Sequence, residues 1–345
     1  MEQLRQLKTE KPIFHLTINR MKKLFSFILL IVPVTLAQNS GNKIPVDTSY
    51  TIYSATAKIH EKFPDAVPVI FSPTENVKVV KDIVYTAVGY RKLHLDIFYP
   101  SKREKKYSPA VILVHGGGWR SGNRTMVYPM AEKLAENGYV AVAVEYRLSI
   151  EALYSAAVYD IKSAIRWVRA NAEKFKINKN MIAIYGTSAG GHLAALVGTT
   201  NNDKKFEGNE DNLNFSSGVE AIVDVDGVVD YFGKGSEELY KKSGKPSAGQ
   251  LWFGVSPKDN PEIWREAGPI NHISAETPPV CFINSTIPRF HAGRDEMIKI
   301  LDKYNIYSEV HILPGTVHTF WLFHPWFKKT FEYTLSFLNK VLGIN

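Results

Sequence analysis

The stretch "IAIYGTSAGGHLAAL" (182–196) places Ser188 in the centre of a Gly-Thr-Ser-Ala-Gly pentapeptide. Apolar β-forming residues precede the pentapeptide and a helical pattern follows it, so the serine is predicted to lie on a strand-to-helix turn. Such a turn lifts the serine hydroxyl out of the sheet, and glycines at 186 and 190 let the backbone pass close by. The helix beginning at Ala189 would direct its N–H groups at a developing oxyanion. The pattern therefore predicts Ser188 as a nucleophile.

A glycine-rich loop, "LVHGGGWRSG" (113–122), follows the first central strand. Backbone N–H groups of such a loop bind the oxyanion in esterases, and we expect Gly116 and Gly117 to do so together with Ala189. His115 sits at the strand end and is expected to shape the loop rather than act as a base. Trp119 follows the glycines and is expected to contact substrate. Phosphate binding is disfavoured, because neither Gly-Lys-Ser/Thr nor G-x-G-x-x-G occurs here.

Apolar runs alternate with helical patterns over most of the chain. Strands are predicted at 110–118, 139–147, 181–186, 219–228, 278–284 and 308–315, and helices at 126–137, 156–175, 189–199, 295–304 and 325–341. Strands that are apolar on both faces imply an α/β fold with a mostly parallel sheet and helices on both faces. The alternating segment 80–100 predicts an antiparallel hairpin at the edge of this sheet. One domain is expected over 50–345, in which 229–275 is long enough to form a lid or rim.

A nucleophilic serine needs a base, and in this architecture a histidine follows the last strand. His318 lies on the loop after that strand and is the expected base; His311 lies within the strand, and His324 lies where the closing helix begins. The acid is open among Asp295, Glu296, Asp226 and Asp230. Asp295 is favoured on chain order, although no carboxylate directly follows the penultimate strand.

The N-terminus has the pattern of a secretory signal peptide at 21–37: Met21-Lys22-Lys23, then the apolar run "LFSFILLIVPVTLA" (24–37). Residues 1–20 are interpreted as a mis-annotated upstream segment, and 38–49 as a linker. A run of 14 apolar residues is too short to span a bilayer, so no stable membrane insertion is expected after cleavage. A secreted or periplasmic bacterial protein is predicted.

Charge and cysteine content exclude several classes of function. The formal charge is +8, and residues 1–37 carry six basic and two acidic side chains, so a net +4 remains after cleavage. This excess is too small to indicate nucleic acid, but it favours an acidic substrate. Cys281 is the one cysteine, which excludes an intramolecular disulfide and a multi-cysteine metal site. No metal or cofactor is expected, and the oligomeric state is left open.

The segments "HGGGW", "EYRLS", "YDIKSAIRWVRANA" and "YGTSAGGHLAAL" resemble, in that order, esterases of the α/β-hydrolase superfamily with an HGGG oxyanion loop, over roughly 110–200. The segments "INSTIPRFHAGRDEMIKIL" and "HTFWLFHPWF" resemble secreted bacterial esterases of plant cell-wall polysaccharide, notably pectin acetylesterases and pectinesterase-like proteins. The resemblance implies a serine esterase with the triad Ser188, His318 and Asp295. The chain departs from the usual pattern, in which an Asp follows a Gly soon after the strand.

This resemblance implies deacetylation of pectin, an acidic polysaccharide. Arg289 and Arg294 are expected to pair with uronate carboxylates, and Trp321 and Trp326 to lie beside the cleft, where aromatic faces suit sugar rings. An aromatic run that enters a final helix is also typical of core packing. The alternatives are a feruloyl or xylan acetyl esterase, a pectin methylesterase, and a catalytically inactive hydrolase fold that binds glycans.

Overall fold

The computed structural model of the protein describes residues 46–102, 105–209, 211–240 and 244–344. The predicted upstream segment 1–20, the signal peptide 21–37 and most of the linker 38–49 lie outside the described residues. Asp47 and Ser49, at the end of that linker, contact the glycine-rich loop: Asp47 forms an ion pair of 2.7 Å with Arg120, and the Ser49 hydroxyl lies 3.4 Å from that of Ser121.

The core of the molecule is an eight-stranded sheet with the strand order β2-β3-β5-β4-β6-β7-β8-β9. Its strands are β2 Val77–Val88, β3 Arg91–Pro100, β4 Ser108–Val114, β5 Val140–Val144, β6 Ile177–Thr187, β7 Ala221–Val225, β8 Val280–Ser285 and β9 Ser308–Leu313. Strands β4 to β9 are mutually parallel, while β2 and β3 form the antiparallel edge. This arrangement confirms the predicted fold class and edge hairpin. A separate two-stranded sheet pairs β1 (Val67–Pro68) with β10 (Phe323–His324).

Helices cover both faces of the sheet. They are α1 Ile52–His60, α2 Tyr128–Glu136, α3 Ala156–Ala170, α4 Ala172–Phe175, α5 Ala189–Thr199, α6 Ala248–Phe253, α7 Pro261–Glu266, α8 Arg294–Lys303 and α9 Trp326–Val341. Alternate side chains of each buried strand enter one of two apolar cores: one contains residues of α3, α5 and α8, and the other residues of α1, α2 and α9. None of the helices in the described parts of the chain is long and apolar enough to cross a membrane.

Two segments, 52–60 and 229–275, contain helices that the sequence patterns do not predict. Helix α1 lies in a segment for which the sequence patterns predict no helix; Thr51 and Ser54 form a capping box at its start, and Ala55 and Ile59 are buried. The proposed lid 229–275 contains α6 and α7, and buries Trp252 and Trp264 completely. This segment is therefore part of the apolar core as well as a wall of the site described below.

Candidate active site

Ser188 occupies a strained turn between β6 and α5. Its φ of 54° and ψ of −121° lie outside the regions that L-residues prefer, which is the backbone expected of a nucleophile elbow. A Cβ at position 186 would lie 1.9 Å from the carbonyl oxygen of Gly190, and one at 190 would lie 2.3 Å from that of Val114. Both glycines are therefore required for the close approach of strand and helix that the pentapeptide predicts.

Three side chains form a continuous chain of hydrogen bonds at the carboxyl edge of the sheet. His318 Nε2 lies 2.8 Å from Ser188 Oγ, and His318 Nδ1 lies 3.0 Å from Oδ2 of Asp226. The Ser285 N–H and hydroxyl also donate to Asp226, at 2.7 and 2.8 Å. Asp226 is 1% exposed, so these donors replace the water that an ionised carboxylate would otherwise need.

The choice of Asp295 as the acid was wrong. Asp295 opens α8 on the surface, where it pairs with the neighbouring Arg294 at 2.7 Å. Asp226 directly follows β7, the strand next to β6, and the Ser188 N–H donates to the carbonyl of Val225 at 2.7 Å. Neighbouring parallel strands end side by side, so this pairing brings Asp226 beside the elbow. The other two alternatives do not meet His318 either: Asp230 accepts from the Phe232 N–H at 2.8 Å, and Glu296 is exposed on α8.

The ring of His318 is fixed on two sides by aromatic groups. Phe290 stacks on it with ring centroids 3.4 Å apart, and Trp321 meets its edge at 4.9 Å. Burial lowers the pKa of His318 below its ordinary value, and the nearby cations Arg289 and Lys58 lower it further, whereas the hydrogen bond to Asp226 raises it. The imidazole is consequently neutral at neutral pH and able to accept a proton from Ser188.

The glycine loop lies directly against the nucleophile elbow. A Cβ on Gly116 would lie 2.7 Å from the carbonyl oxygen of Thr187 and 3.1 Å from Ser188 Cβ, so Gly116 is packed against the turn. Gly117 and Gly118 have φ values of 130° and 61°, and both line the cleft beside Ser188. Ala189 is the first residue of α5, and its N–H has no acceptor within that helix. Gly117, Gly118 and Ala189 thus line the space beside Ser188, and the donor role of Gly116 stays a prediction.

A buried histidine that the sequence did not single out anchors this loop. The Trp119 indole N–H donates to Nδ1 of His192 at 3.3 Å, and His192 Nε2 donates to the carbonyl of Ala267 at 2.7 Å. Burial lowers the pKa of His192 to about 4, so the ring stays neutral and these two bonds fix its tautomer. Trp119 also stacks on Trp252 with centroids 4.8 Å apart. His115 is likewise buried, stacked on Tyr146 at 4.5 Å.

Two cavities of different size and chemistry meet at Ser188. The smaller has a volume of about 120 Å³ and is predominantly apolar. Its lining includes Trp119, Val228, Tyr231, Leu239, Ala248 and Trp264, together with Ser188, Ala189 and Asp226. The segment predicted as a lid thus supplies most of the apolar wall of this cavity.

The larger cavity is an open cleft of about 610 Å³. It is lined by Ser188, His318, Gly117 and Gly118, by one face of α1, and by Ile287, Arg289 and Phe290. Its charged lining residues are Lys58, Lys62, Arg289 and Glu61. The cleft is therefore polar and predominantly cationic, in contrast to the smaller cavity.

The predicted substrate-contacting residues fall into two groups. Trp119 lines the small cavity and Arg289 lines the cleft, and their contact with substrate stays a prediction. Arg294 does not: its guanidinium is buried and donates to Asn284 Oδ1 at 3.0 Å. Trp321 is 4% exposed and Trp326 packs edge-on against Phe63 at 5.0 Å. Trp321 is therefore part of the core, and Trp326, the first residue of α9, is half-buried.

A second group of potential ligands lies away from both cavities. Cys281, Glu309 and His311 on β8 and β9 have side-chain ligand atoms within 4.8 Å of one another. His311 and Glu309 form an ion pair at 3.0 Å, and burial raises the pKa of the Cys281 thiol. A protonated thiol is a poor metal ligand. The other two side chains, Glu309 and His311, are already paired with each other, so this group is not proposed as a metal site.

Sheet order, elbow and hydrogen-bond chain together define an α/β-hydrolase fold with a serine-centred site. The chain belongs to the BD-FAE family, whose model matches residues 95–300. It is similar to esterase LipC of Mycobacterium tuberculosis, with 30% identity over 237 residues that cover 66% of this chain and 56% of LipC. The chain spans about half the length of the curated relatives it matches.

Two solved structures have a similar fold. Esterase Est2 of Thermogutta terrifontis is 26% identical, with a TM-score of 0.62, and covers 79% of this chain and 95% of its own; it has also been solved with propionate and with butyrate bound. A bifunctional GH43-CE protein of Bacteroides eggerthii is 27% identical, with a TM-score of 0.67, and covers 79% of this chain and 36% of its own.

Proposed function

We propose that the protein is a serine carboxylic-ester hydrolase that removes acetyl groups from an acidic plant cell-wall polysaccharide, most directly pectin. The observation that carries this proposal is the unequal pair of cavities at Ser188. An ester placed with its carbonyl at Ser188 needs one site for its acyl group and one for its alcohol. The small apolar cavity suits the acyl group, and the polar cleft suits the sugar that bears it.

The size of the small cavity limits the acyl group. An apolar cavity of about 150 Å³ in another protein holds one benzene molecule, whereas this one has about 120 Å³. Acetyl and other short acyl groups fit within it, and a feruloyl group, which has a substituted aromatic ring and a propenoyl chain, does not. Pectin demethylation is disfavoured for the same reason, because the acyl part of a methyl uronate is the sugar itself. The short carboxylates bound to Est2 support a preference for short acyl groups in a relative.

In the proposed mechanism, Ser188 Oγ attacks the ester carbonyl while His318 Nε2 accepts its proton. Asp226 accepts a hydrogen bond from Nδ1–H of His318, which fixes the imidazole tautomer and stabilises the imidazolium that forms. The N–H groups of Gly117, Gly118 and Ala189 bind the oxyanion, and each such donor contributes about 3–4 kcal/mol to transition-state stabilisation. His318 then protonates the sugar oxygen that leaves, and a water activated by the same histidine releases acetate from the acyl-enzyme.

The positive charge of the cleft supports an acidic sugar as the alcohol component of the ester. Arg289 lines the cleft beside Ser188 and its guanidinium lies over the Phe290 ring at 4.6 Å from the centroid. No ion pair of Arg289 is found among the described residues, so its charge is available to a uronate carboxylate. The signal-peptide pattern at 21–37 supports export of the chain, which a polysaccharide substrate outside the cell requires.

The test is to incubate the protein with acetylated, methylated pectin and, in parallel, with acetylated xylan, each beside a Ser188→Ala control. Acetate and methanol are quantified separately. Serine-dependent acetate from pectin is the expected result. Methanol in place of acetate, or acetate from xylan alone, would contradict the pectin proposal and leave a serine esterase of different specificity. Equal release by the wild type and the Ser188→Ala variant would contradict the mechanism.

A further inference from the structure

We propose that Lys58 and Lys62, at the end of helix α1 and in the turn that follows it, form an anion-binding subsite of the cleft. This subsite would bind carboxylates of the sugar residues next to the one that carries the ester. The proposal rests on the proposed function, because it takes the cleft to hold the sugar chain. It makes α1 a specificity element that precedes the BD-FAE match at residue 95.

Helix α1 presents one face to the cleft. Ser54, Ala55, Lys58, Ile59 and Lys62 all line it, with the spacing of three and four residues that places side chains on one side of a helix. The helix is held in place by burial of Ala55 and Ile59. The two lysines therefore project from a fixed element, while their ammonium groups remain exposed to solvent.

The charges of these lysines are uncompensated. Neither Lys58 nor Lys62 forms an ion pair within the described residues, and Glu61 is the one carboxylate among the side chains that line the cleft. The charge of Lys58 lowers the pKa of His318, as does that of Arg289, so both cations lie near the imidazole. Arg289 and the lysines extend from different elements of the same cleft, which gives a chain of uronates more than one cation to contact.

Lysines in the last turn of a helix are also stabilised by the helix dipole without any ligand. The two roles predict different behaviour. A helix-stabilising role predicts effects on unfolding that are independent of substrate, whereas a binding role predicts effects confined to acidic substrates. Helix α8 offers a matched control, because Lys299 and Lys303 are exposed, are also four residues apart, and do not line the cleft.

The experiment compares Lys58→Gln/Lys62→Gln with Lys299→Gln/Lys303→Gln, on acetylated oligogalacturonates and on acetylated xylo-oligosaccharides of similar length. We expect the first variant to lose about 3- to 10-fold in kcat/KM on the acidic substrate, mainly through KM, since exposed ion pairs are individually weak. The loss should shrink as salt is raised. At a pH above the pKa of His318, where loss of the Lys58 charge does not change the protonation of the ring, the neutral substrate and the control variant should show little change.

Equal losses on both substrates, or in both variants, would overturn the anion subsite. A binding measurement separates this failure from failure of the proposed function. Unesterified oligogalacturonate is titrated calorimetrically into the Ser188→Ala variant, with and without the Lys58 and Lys62 substitutions. Lysine-dependent binding without acetate release by the wild type would keep the subsite and sink pectin deacetylation. Absence of binding would overturn the subsite.

Discussion

The Asp226→Asn substitution distinguishes the acid seen in the structure from the one favoured by chain order. Three donors converge on the carboxylate: the Ser285 N–H on Oδ1, and the Ser285 hydroxyl and the His318 ring on Oδ2. An asparagine must place its NH₂ at one of these oxygen positions. At Oδ1 it would face a backbone N–H at 2.7 Å, which cannot reorient. At Oδ2 it faces a hydroxyl that can rotate to accept.

The second orientation is therefore favoured, and it forces His318 Nδ1 to accept a hydrogen bond. The ring then carries its proton on Nε2, which can no longer accept a proton from Ser188. A substitution with this consequence in serine proteases lowers kcat by about 10⁴-fold, and we expect a loss of about 10³- to 10⁴-fold here. The matched Asp295→Asn variant removes one exposed ion pair and should change kcat by less than about twofold.

Initial rates on p-nitrophenyl acetate measure kcat for both variants, and thermal unfolding of each serves as a folding control. A folded Asp226→Asn variant that retains more than about a tenth of wild-type kcat would refute the assignment, given the tautomer argument. A large loss in Asp295→Asn with Asp226→Asn unaffected would restore the acid expected from chain order.

Three further predictions address protonation and the glycine loop. The rate on a neutral acetyl ester should rise with pH as His318 loses its proton, at a pKa below about 6.5. Because the charge of Arg289 lowers this pKa, Arg289→Gln should move the rise in rate to higher pH. An unchanged pH profile would contradict an effect of Arg289 on the pKa of His318. Trp119→Phe leaves Nδ1 of His192 without its donor, so kcat should fall several-fold with KM little changed, and urea unfolding should show a loss of about 1–2 kcal/mol; a change confined to KM would argue that Trp119 acts only through substrate contact. Burial raises the pKa of Asp224 to about 8, so between about pH 4 and pH 8 the native state holds a proton that the unfolded chain has lost. Wild-type stability should therefore decline relative to Asp224→Asn across that window, and parallel pH profiles of the two proteins would contradict this.

The fold, the nucleophile elbow and the glycine loop could be predicted from sequence because each depends on residues that are close together in the chain. The nucleophile elbow depends on the glycines at 186 and 190, and the oxyanion loop on the glycines at 116–118, so spacing alone indicates both. His318 followed from its place after the last strand. In the loop, the packing of Gly116 against Thr187 and the position of Gly118 in the cleft lining depend on the fold and could not be predicted from spacing.

The acid could not be predicted in the same way, because its position depends on which strands are neighbours. Asp226 and His318 are 92 residues apart, and Ser285, which orients the acid, lies on another strand. A signal was present, since Asp226 directly follows the apolar run of β7, where carboxyl-end residues of a parallel sheet are exposed to a site. Chain order favoured the later carboxylate of Asp295, whereas the pairing of β6 with β7 brings Asp226 beside Ser188.

Two further regions could not be assigned from sequence: the aromatic run near the C-terminus, whose composition was misleading, and helix α1, whose position no local pattern encodes. Trp321 and Trp326 are residues typical of a sugar-binding surface, yet Trp321 is buried in the core and Trp326 packs edge-on against Phe63. Helix α1 is short, and its capping residues Thr51 and Ser54 were the available signal for a helix start. Its position beside Ser188 depends on tertiary packing that no local pattern encodes.

Ser188 is proposed to form an acyl-enzyme with the short acyl group of its substrate. The most direct measurement is acid quench of the protein during turnover of an acetyl ester, followed by peptide mass spectrometry. We expect an acetyl group on the peptide that contains Ser188, absent from Ser188→Ala and strongly reduced in His318→Ala. Acetate release by a folded Ser188→Ala variant, or an acetyl group that accumulates at another residue during turnover, would contradict it.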